Sequence, residues 1–296
     1  MKKNIFCIGP TVPDGMFSML RDGFRSLESK WPVSLHADYS APGFYRQCKK
    51  ADLVLIFTNQ GTNWRMIRDI AKTHSRWAVV DGSDYADFRG IRVISPGDAP
   101  LIFKREYHPE VHGPMPNVVP LSFSVVSDWR KAKRTAKFLN FVFAGQMYGR
   151  RSAFLRLLRT ALDDPHSVLS PGGLDSGQYW SLLDSTKIAI SLRGAGWDCV
   201  RHWEALSRQN CLLMLEADPK IRMSDPPLVD GVHCAMFRRP SELIEKVKYY
   251  LAHEAERREV ARQGRAFALE HHSTAVRAKF VLRTCLSRFR VERPLP

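Results

Sequence analysis

The sequence predicts an α/β chain in two domains, each built on a parallel sheet, and three observations predict it. Short apolar runs rich in β-branched residues alternate with amphipathic helical stretches from the N-terminus onward. Such alternation implies a parallel sheet covered by helices on both faces. It breaks over the Pro-rich, irregular residues 108–120 and the basic residues 127–137, then restarts at residue 138. In the second half an apolar strand, a glycine turn and a helical pattern succeed one another over residues 187–210, and another apolar strand follows at once.

Taken in order, residues 4–9 read as a strand and 11–15 as a loop punctuated by Pro and Gly. Phe17, Leu20, Phe24 and Leu27 recur at helical spacing. Strands are predicted at 33–36, 51–57, 77–80, 91–94 and 101–104, with helices at 45–50 and 64–72 and a loop at 81–84. We place the boundary so that residues 1–130 form the first domain and 131–296 the second. There a strand at 138–144 leads through a turn at 145–151 into a helix at 152–162, with Phe154, Leu155, Leu158 and Leu162 inward. The chain continues through 167–169, a Pro/Gly loop at 170–173, a helix around 178–183, and strands at 187–192, 211–215 and 234–237. Ser241 is placed to cap a helix with Leu243, Val247, Tyr250 and Leu251 inward. A helix over 254–270 and a long basic terminal helix close the chain.

The 296 residues suffice for two domains, and 44% hydrophobic with 25% charged residues is a soluble composition. No apolar stretch approaches the roughly 20 residues that span a bilayer. The six cysteines are scattered without a C-x-x-C pair, so reduced thiols and a cytoplasmic protein are expected. The net charge of +15 is the largest deviation from the ordinary. Lys131, Lys133, Arg134, Lys137, Arg150, Arg151, Arg156 and Arg159 stand together without an acidic residue among them. Arg277, Lys279, Arg283, Arg288, Arg290 and Arg293 face Glu292 alone near the C-terminus. Clusters of this kind favour a polyanionic partner, here nucleic acid ahead of an anionic membrane or an acidic glycan. A basic surface with no dedicated partner is the plain alternative.

The stretch SLRGAGWDCVRHWEALSRQN, residues 191–210, carries the most chemistry. A strand, a glycine turn and a helix start together form an anion site, because unpaired backbone N–H groups and the helix dipole meet there. Trp197, Arg201, Glu204 and Arg208 would share one helix face, while Val200, Trp203 and Leu206 pack inward. Arg193 and Arg201 supply charge-assisted bonds for phosphate, and Glu204 an acceptor for sugar hydroxyls. That combination suits a nucleotide-sugar. The plain reading is a solvated helix face with an i,i+3 ion pair.

Three blocks in the second half, FVFAGQMYGRRSAFLRLL, KIAISLRGAGWDCVRHWEAL and HCAMFRRPSELIEKVKYYLAHEAERREVARQGRAFALEHHS, resemble the GT-B glycosyltransferases in kind and order. They are most similar to the family 1 group that includes spore-maturation-type enzymes, and the RG-x-G…R-x-x-EAL element resembles the exostosin-type donor domain. The likeness covers about residues 138–280. It implies two Rossmann-like domains facing a cleft, a donor nucleotide-sugar held mainly by the second, and a C-terminal helix able to cross back to the first. It implies no required metal or other cofactor, the nucleotide-diphosphate sugar being a co-substrate. Glu204 matches the glutamate that contacts the donor ribose. Arg193 and the turn Gly194, Ala195, Gly196, Trp197 would face the diphosphate, with Gly145 and Arg150 or Arg151 forming the other glycine loop of the donor pocket. Retaining members carry a glutamate eight residues before the one matching Glu204. Here Gly196 stands in that place, with Asp198 displaced by two.

Glycosyl transfer needs positive groups for the departing diphosphate, for which Arg193, Arg201 and Arg151 are candidates. An inverting route also needs a base near the acceptor hydroxyl. Asp14 and Asp84 are the choices, with Asp81 and His36 also at strand ends. Lys104, Arg105 and Tyr107, and the basic Lys131, Lys133 and Arg134, are candidates for contact with acceptor or phosphate. The reading is therefore a nucleotide-sugar-dependent glycosyltransferase. A hydroxymethylated base in DNA is the acceptor that the composition favours, and a cell-surface or lipid-linked glycan is the alternative. A non-catalytic nucleic-acid-binding protein of the same shape is a reading from a different class. No G-x-G-x-x-G follows the first strand, which argues against a Rossmann oxidoreductase.

Overall fold

The computed structural model describes residues 5–8, 15–27, 33–36, 44–58, 64–88, 99–131, 135–147, 149–170 and 172–290. The chain divides into two compact units. The first comprises Met1–Ser127, Lys220–Asp225 and His272–Pro296, and the second Asp128–Pro219 and Pro226–His271. Each unit holds one wholly parallel sheet among its described residues. The α/β architecture with two parallel sheets is as expected.

The first sheet runs in the order β2-β1-β3-β4-β5-β6. Its strands are β1 (Ile5–Ile8), β2 (Val33–His36), β3 (Leu53–Thr58), β4 (Trp77–Asp81), β5 (Ile102–Lys104) and β6 (Val118–Pro120). Every residue of β3, β4 and β5 is buried. This is why they read as continuous apolar runs: a central parallel strand is covered on both faces. Helices α1 (Gly15–Leu27), α2 (Phe44–Lys50) and α3 (Trp64–Thr73) connect the first four strands. The strand expected at 91–94 lies outside the described residues. The stretch 108–120, expected to be irregular, contains the one-turn helix α4 (Pro109–His112) as well as β6. Pro109 opens that turn at a position where a missing N–H is harmless.

Residues 272–290, expected within the second domain with a terminal helix able to cross back to the first, cluster with the first unit. Helix α10 (Thr274–Arg288) packs along α1. Gly23 makes the close approach possible, because a Cβ there would stand 2.1 Å from the Thr274 carbonyl oxygen. Asp22 fixes the same junction by accepting hydrogen bonds from the hydroxyls of Thr274 and Ser127. Arg277, one of the basic residues expected to favour a polyanion, is buried in this unit. It donates to the Asp225 carbonyl and the Ser122 hydroxyl.

The second sheet runs in the order β11-β10-β9-β7-β8. It is built from β7 (Leu139–Ala144), β8 (Ser167–Ser170), β9 (Thr186–Ser191), β10 (Leu212–Glu216) and β11 (Ala235–Phe237). Phe141, Phe143, Ile188, Ile190, Leu212 and Met214 form one core with α5 (Arg151–Leu162), α8 (Pro240–Ala252) and the start of α9 (Glu254–His271). Alternate residues of the same strands, such as Val142, Ala189 and Leu213, are buried on the opposite face. There α6 (Ser176–Ser185) and α7 (Val200–Leu206) contact the strands. The expected cap at Ser241 is corrected: α8 starts two residues earlier than that cap implies, with Pro240, and Arg239 stands at the cap position without a side-chain bond. Glu242 instead accepts from the Arg238 N–H at 2.8 Å.

In both sheets the first strand lies between the second and third, so the winding reverses between β1 and β3, and again between β7 and β9. The carboxyl ends of strands at such a reversal leave a crevice, which is where open α/β sheets take ligands. The loops leaving β1 and β3 lie outside the described residues. Those leaving β7 and β9 are described, apart from residue 148.

His112 yields a prediction for the first unit. The ring is fully buried, and its Nδ1 accepts the His108 N–H at 2.7 Å. Burial first, and the Lys104 ammonium second, push its pKa from 6.5 down to about 4. The unfolded chain takes up a proton near 6.5 while the folded chain waits until about 4. Stability from this group is thus present above 6.5 and lost as the pH falls toward 4, by up to about 3 kcal/mol. His112→Asn keeps an acceptor for the His108 N–H and cannot titrate. Chemical denaturation at pH 7 and pH 4.5 should show a smaller acid loss in the variant, and an equal loss would refute the assignment.

Candidate functional site in the second unit

Two arginines bridge the reversal between β7 and β9. Arg151, the first residue of α5, is buried and points its guanidinium across the gap. Its Nη1 donates to the Gln146 carbonyl at 2.8 Å, in the loop after β7. Its Nε and Nη2 donate to the carbonyls of Arg193 at 2.9 Å and Leu192 at 3.1 Å, in the loop after β9. Carbonyls left over where strands end must find donors, and one planar fork serves both loops. Arg151 therefore ties the loops together, and these bonds commit it to backbone rather than to a diphosphate.

Arg201 comes from the first turn of α7 and donates Nε to the Ala144 carbonyl at 2.8 Å. Its guanidinium stacks on the Phe143 ring at 4.9 Å. It occupies space that a side chain at residue 145 would fill, since a Cβ on Gly145 would lie 2.0 Å from Nη2. Gly145 is thus required by close approach of a cation. The Arg201 Nη1 is buried and has no hydrogen-bond partner among the described residues.

Glu204 follows three residues later on the same helix. Its Oε2 accepts the Tyr179 hydroxyl, which reaches it from α6. Its Oε1 makes no hydrogen bond among the described residues, and no ion pair joins it to Arg201. Burial raises the Glu204 carboxyl above the usual range, opposed by the Tyr179 hydrogen bond and the charges of Arg201 and Arg208. Burial, with the neighbouring carboxylate second, raises the Tyr179 phenol, which stays protonated as a donor.

The remaining predicted donor residues surround this pair. Glu216, buried at the end of β10, accepts the Arg193 N–H at 2.9 Å and pairs with Arg150 at 2.9 Å. Arg150 itself is partly exposed and lies over the Phe154 ring. The Arg193 side chain stacks on Trp197 at 4.7 Å. The Gly194 N–H donates to the Gly196 carbonyl at 2.9 Å and to the Cys199 Sγ. The expectation of unpaired loop amides is corrected for two of them: the N–H groups of Arg193 and Gly194 are bonded within the fold. So is the helix face. Trp197 precedes α7, which begins at Val200, and Arg208 follows its end and is buried against Asp184 and the Trp129 carbonyl. Asp198 is buried and accepts the Trp203 Nε1–H at 2.9 Å.

In the first unit, Asp81 and Lys104 end neighbouring strands in register and form a fully buried ion pair at 2.8 Å. Arg105 is buried too, donating to the Gly82 carbonyl at 3.0 Å and pairing with Asp84. Tyr107 is buried against the His112 ring. The expectation that Lys104, Arg105 and Tyr107 contact an acceptor is thereby corrected: a lysine ending a buried strand needs its counter-charge inside. Asp84 is exposed enough to meet solvent but already serves Arg105. Asp14, Lys133 and Arg134 lie outside the described residues, and Lys131 ends a short 3-10 helix, Ser127–Lys131. No group of three or more His, Cys, Asp or Glu suited to a metal occurs among the described residues.

Tyr179 and Glu216 were not singled out from the sequence. A signal existed for each. Asp175 and Gln178 form a capping box that sets Tyr179 in the first turns of α6, and a glutamate closing the apolar run LLMLE is an unusual charge on a buried strand.

A glycosyltransferase from Rickettsia africae superposes with a TM-score of 0.67 at 9% identity, over 98% of this chain and 100% of that one. HepE of Anabaena, solved in complex with UDP and glucose, superposes with a TM-score of 0.58 at 12% identity, over 97% and 100%. Sucrose-phosphate synthase from Thermosynechococcus elongatus gives 0.60 at 11% identity, over 98% and 100%. At such identities the likeness is one of fold. No curated protein matches in sequence. The family profile described as glycosyl transferase-like matches residues 127–283, a span that includes every residue of the second-unit site. Since that span is more than half of the chain, the protein belongs to the glycosyl transferase-like family.

Proposed function

We propose that the protein transfers a sugar from a nucleotide-diphosphate donor to a hydroxyl acceptor, and that the reversal between β7 and β9 holds the donor. One observation carries the proposal: among the described residues Arg201 is hydrogen-bonded through Nε and leaves a buried Nη1 without a partner, while Glu204, one turn on, is bonded through Oε2 and leaves Oε1 uncommitted. A buried guanidinium N–H lacking a partner is costly to leave so. A ligand bearing an anion and a neighbouring hydroxyl satisfies both groups, and a nucleoside diphosphate has both. As the sugar–phosphate bond breaks, charge builds on the diphosphate, where a fixed guanidinium in a half-buried site is most effective. The fold neighbour solved with UDP supports uracil as the base.

For the acceptor we favour a carbohydrate hydroxyl over a base in DNA. The DNA reading rested on charge, and much of the charge has other work. Lys137, Arg151, Arg208, Arg257 and Arg277 all donate to backbone carbonyls within their own units. The nearer kinship with spore-maturation-type enzymes rests on the three sequence blocks alone.

A thermal-shift series with UDP, GDP, CDP, TDP and their common sugars tests the donor site. A nucleotide at 100 times its Kd should stabilise the wild type by about 2.7 kcal/mol, and Glu204→Ala should remove most of that gain. No shift with any nucleotide would overturn the proposal.

A further inference from the structure

Resting on the donor-site reading above, we infer that Tyr179 is a positioning residue for the donor: its hydroxyl holds Glu204 away from Arg201 and keeps both groups available to the nucleotide.

The two side chains are three residues apart on α7, a spacing at which an acid and a base ordinarily pair. Here they do not. Their pairing would occupy the last oxygen of Glu204 with N–H groups of Arg201 that are otherwise open, and would neutralise the charge meant for a diphosphate. Something must outcompete it. The Tyr179 hydroxyl donates to Glu204 Oε2, while the Ala144 carbonyl and the Phe143 ring hold Arg201 on its other side.

Tyr179 is itself fixed. The Asp175 side chain accepts the Gln178 N–H, the Gln178 side chain accepts the Asp175 N–H, and the Tyr179 N–H bonds the Asp175 carbonyl at 3.0 Å. Its ring meets the edge of Trp180 at 5.3 Å, and Trp180 is covered by Arg208 at 4.7 Å. A rigid donor from another helix therefore sets the direction of a flexible carboxylate. Because the phenol's ionisation is raised, it donates throughout the neutral range.

Tyr179→Phe removes one oxygen and keeps the ring. Titration calorimetry with UDP should show affinity about tenfold weaker than wild type, the scale of one hydrogen bond to a charged group. The decisive comparison uses the Glu204→Ala background. If Tyr179 acts through Glu204, adding Tyr179→Phe there leaves UDP affinity unchanged. If the tyrosine merely supports the fold, the two losses multiply, as independent sites do. Multiplying losses, or full affinity in Tyr179→Phe alone, would overturn the inference. Absence of UDP binding by the wild type would instead overturn the donor-site reading on which it rests.

Discussion

The second unit depends on one constraint: where β7 and β9 part, their carbonyl ends must be satisfied without closing the gap between them. Arg151 and Arg201 meet it together. Arg151 joins the loops through three carbonyls of residues 146, 192 and 193. Arg201 takes the Ala144 carbonyl and stops there, with Nη1 unpartnered among the described residues. The first arginine makes the site rigid, and the second leaves it unfinished. A preorganised cation of this kind needs no rearrangement when charge develops beside it, which is the condition for electrostatic catalysis.

The same use of basic side chains recurs elsewhere and changes the meaning of the net charge. Arg257 reaches from α9 to the carbonyls of Lys187 and Asn210, and burial lowers its pKa. Arg265 takes the Ser207 carbonyl, and Arg288 that of Pro100. Parallel strands and short helices end in unpaired carbonyls, and a long cation can serve several while its stem packs on apolar surface. A net charge of +15 is thus partly an internal device. Arg156, Arg159 and Arg283 are exposed and contribute to the surface.

Much of this was legible in the sequence where periodicity is strong. The apolar runs of β3, β4, β7, β9 and β10 and the amphipathic α1, α5 and α8 lie close to their expected bounds, because burial on one face or both leaves a regular pattern. The glycine turn after β9 was legible too, because it follows directly on the apolar run of that strand. What escaped depends on contacts distant in sequence. Nothing local distinguishes the buried Lys104 from an exposed lysine, since its partner Asp81 lies one strand away. Nothing near Tyr179 announces Glu204, 25 residues on. The 3.6-residue period admits Trp197 and so predicts a longer α7, whereas the helix spans Val200–Leu206 with Cys199 at its N-cap.

The central claim is that Gly145 is bare so that the Arg201 guanidinium can lie against the backbone and hold a diphosphate. Gly145→Ala tests it directly, because the clash falls on the end of a flexible side chain and the fold should survive. The measurement is the ratio of UDP to uridine affinity in wild type and variant, by titration calorimetry. The account predicts that UDP binding weakens by about tenfold or more while uridine binding and the melting temperature change little. An unchanged ratio would contradict it and place the diphosphate, if one binds, away from Arg201.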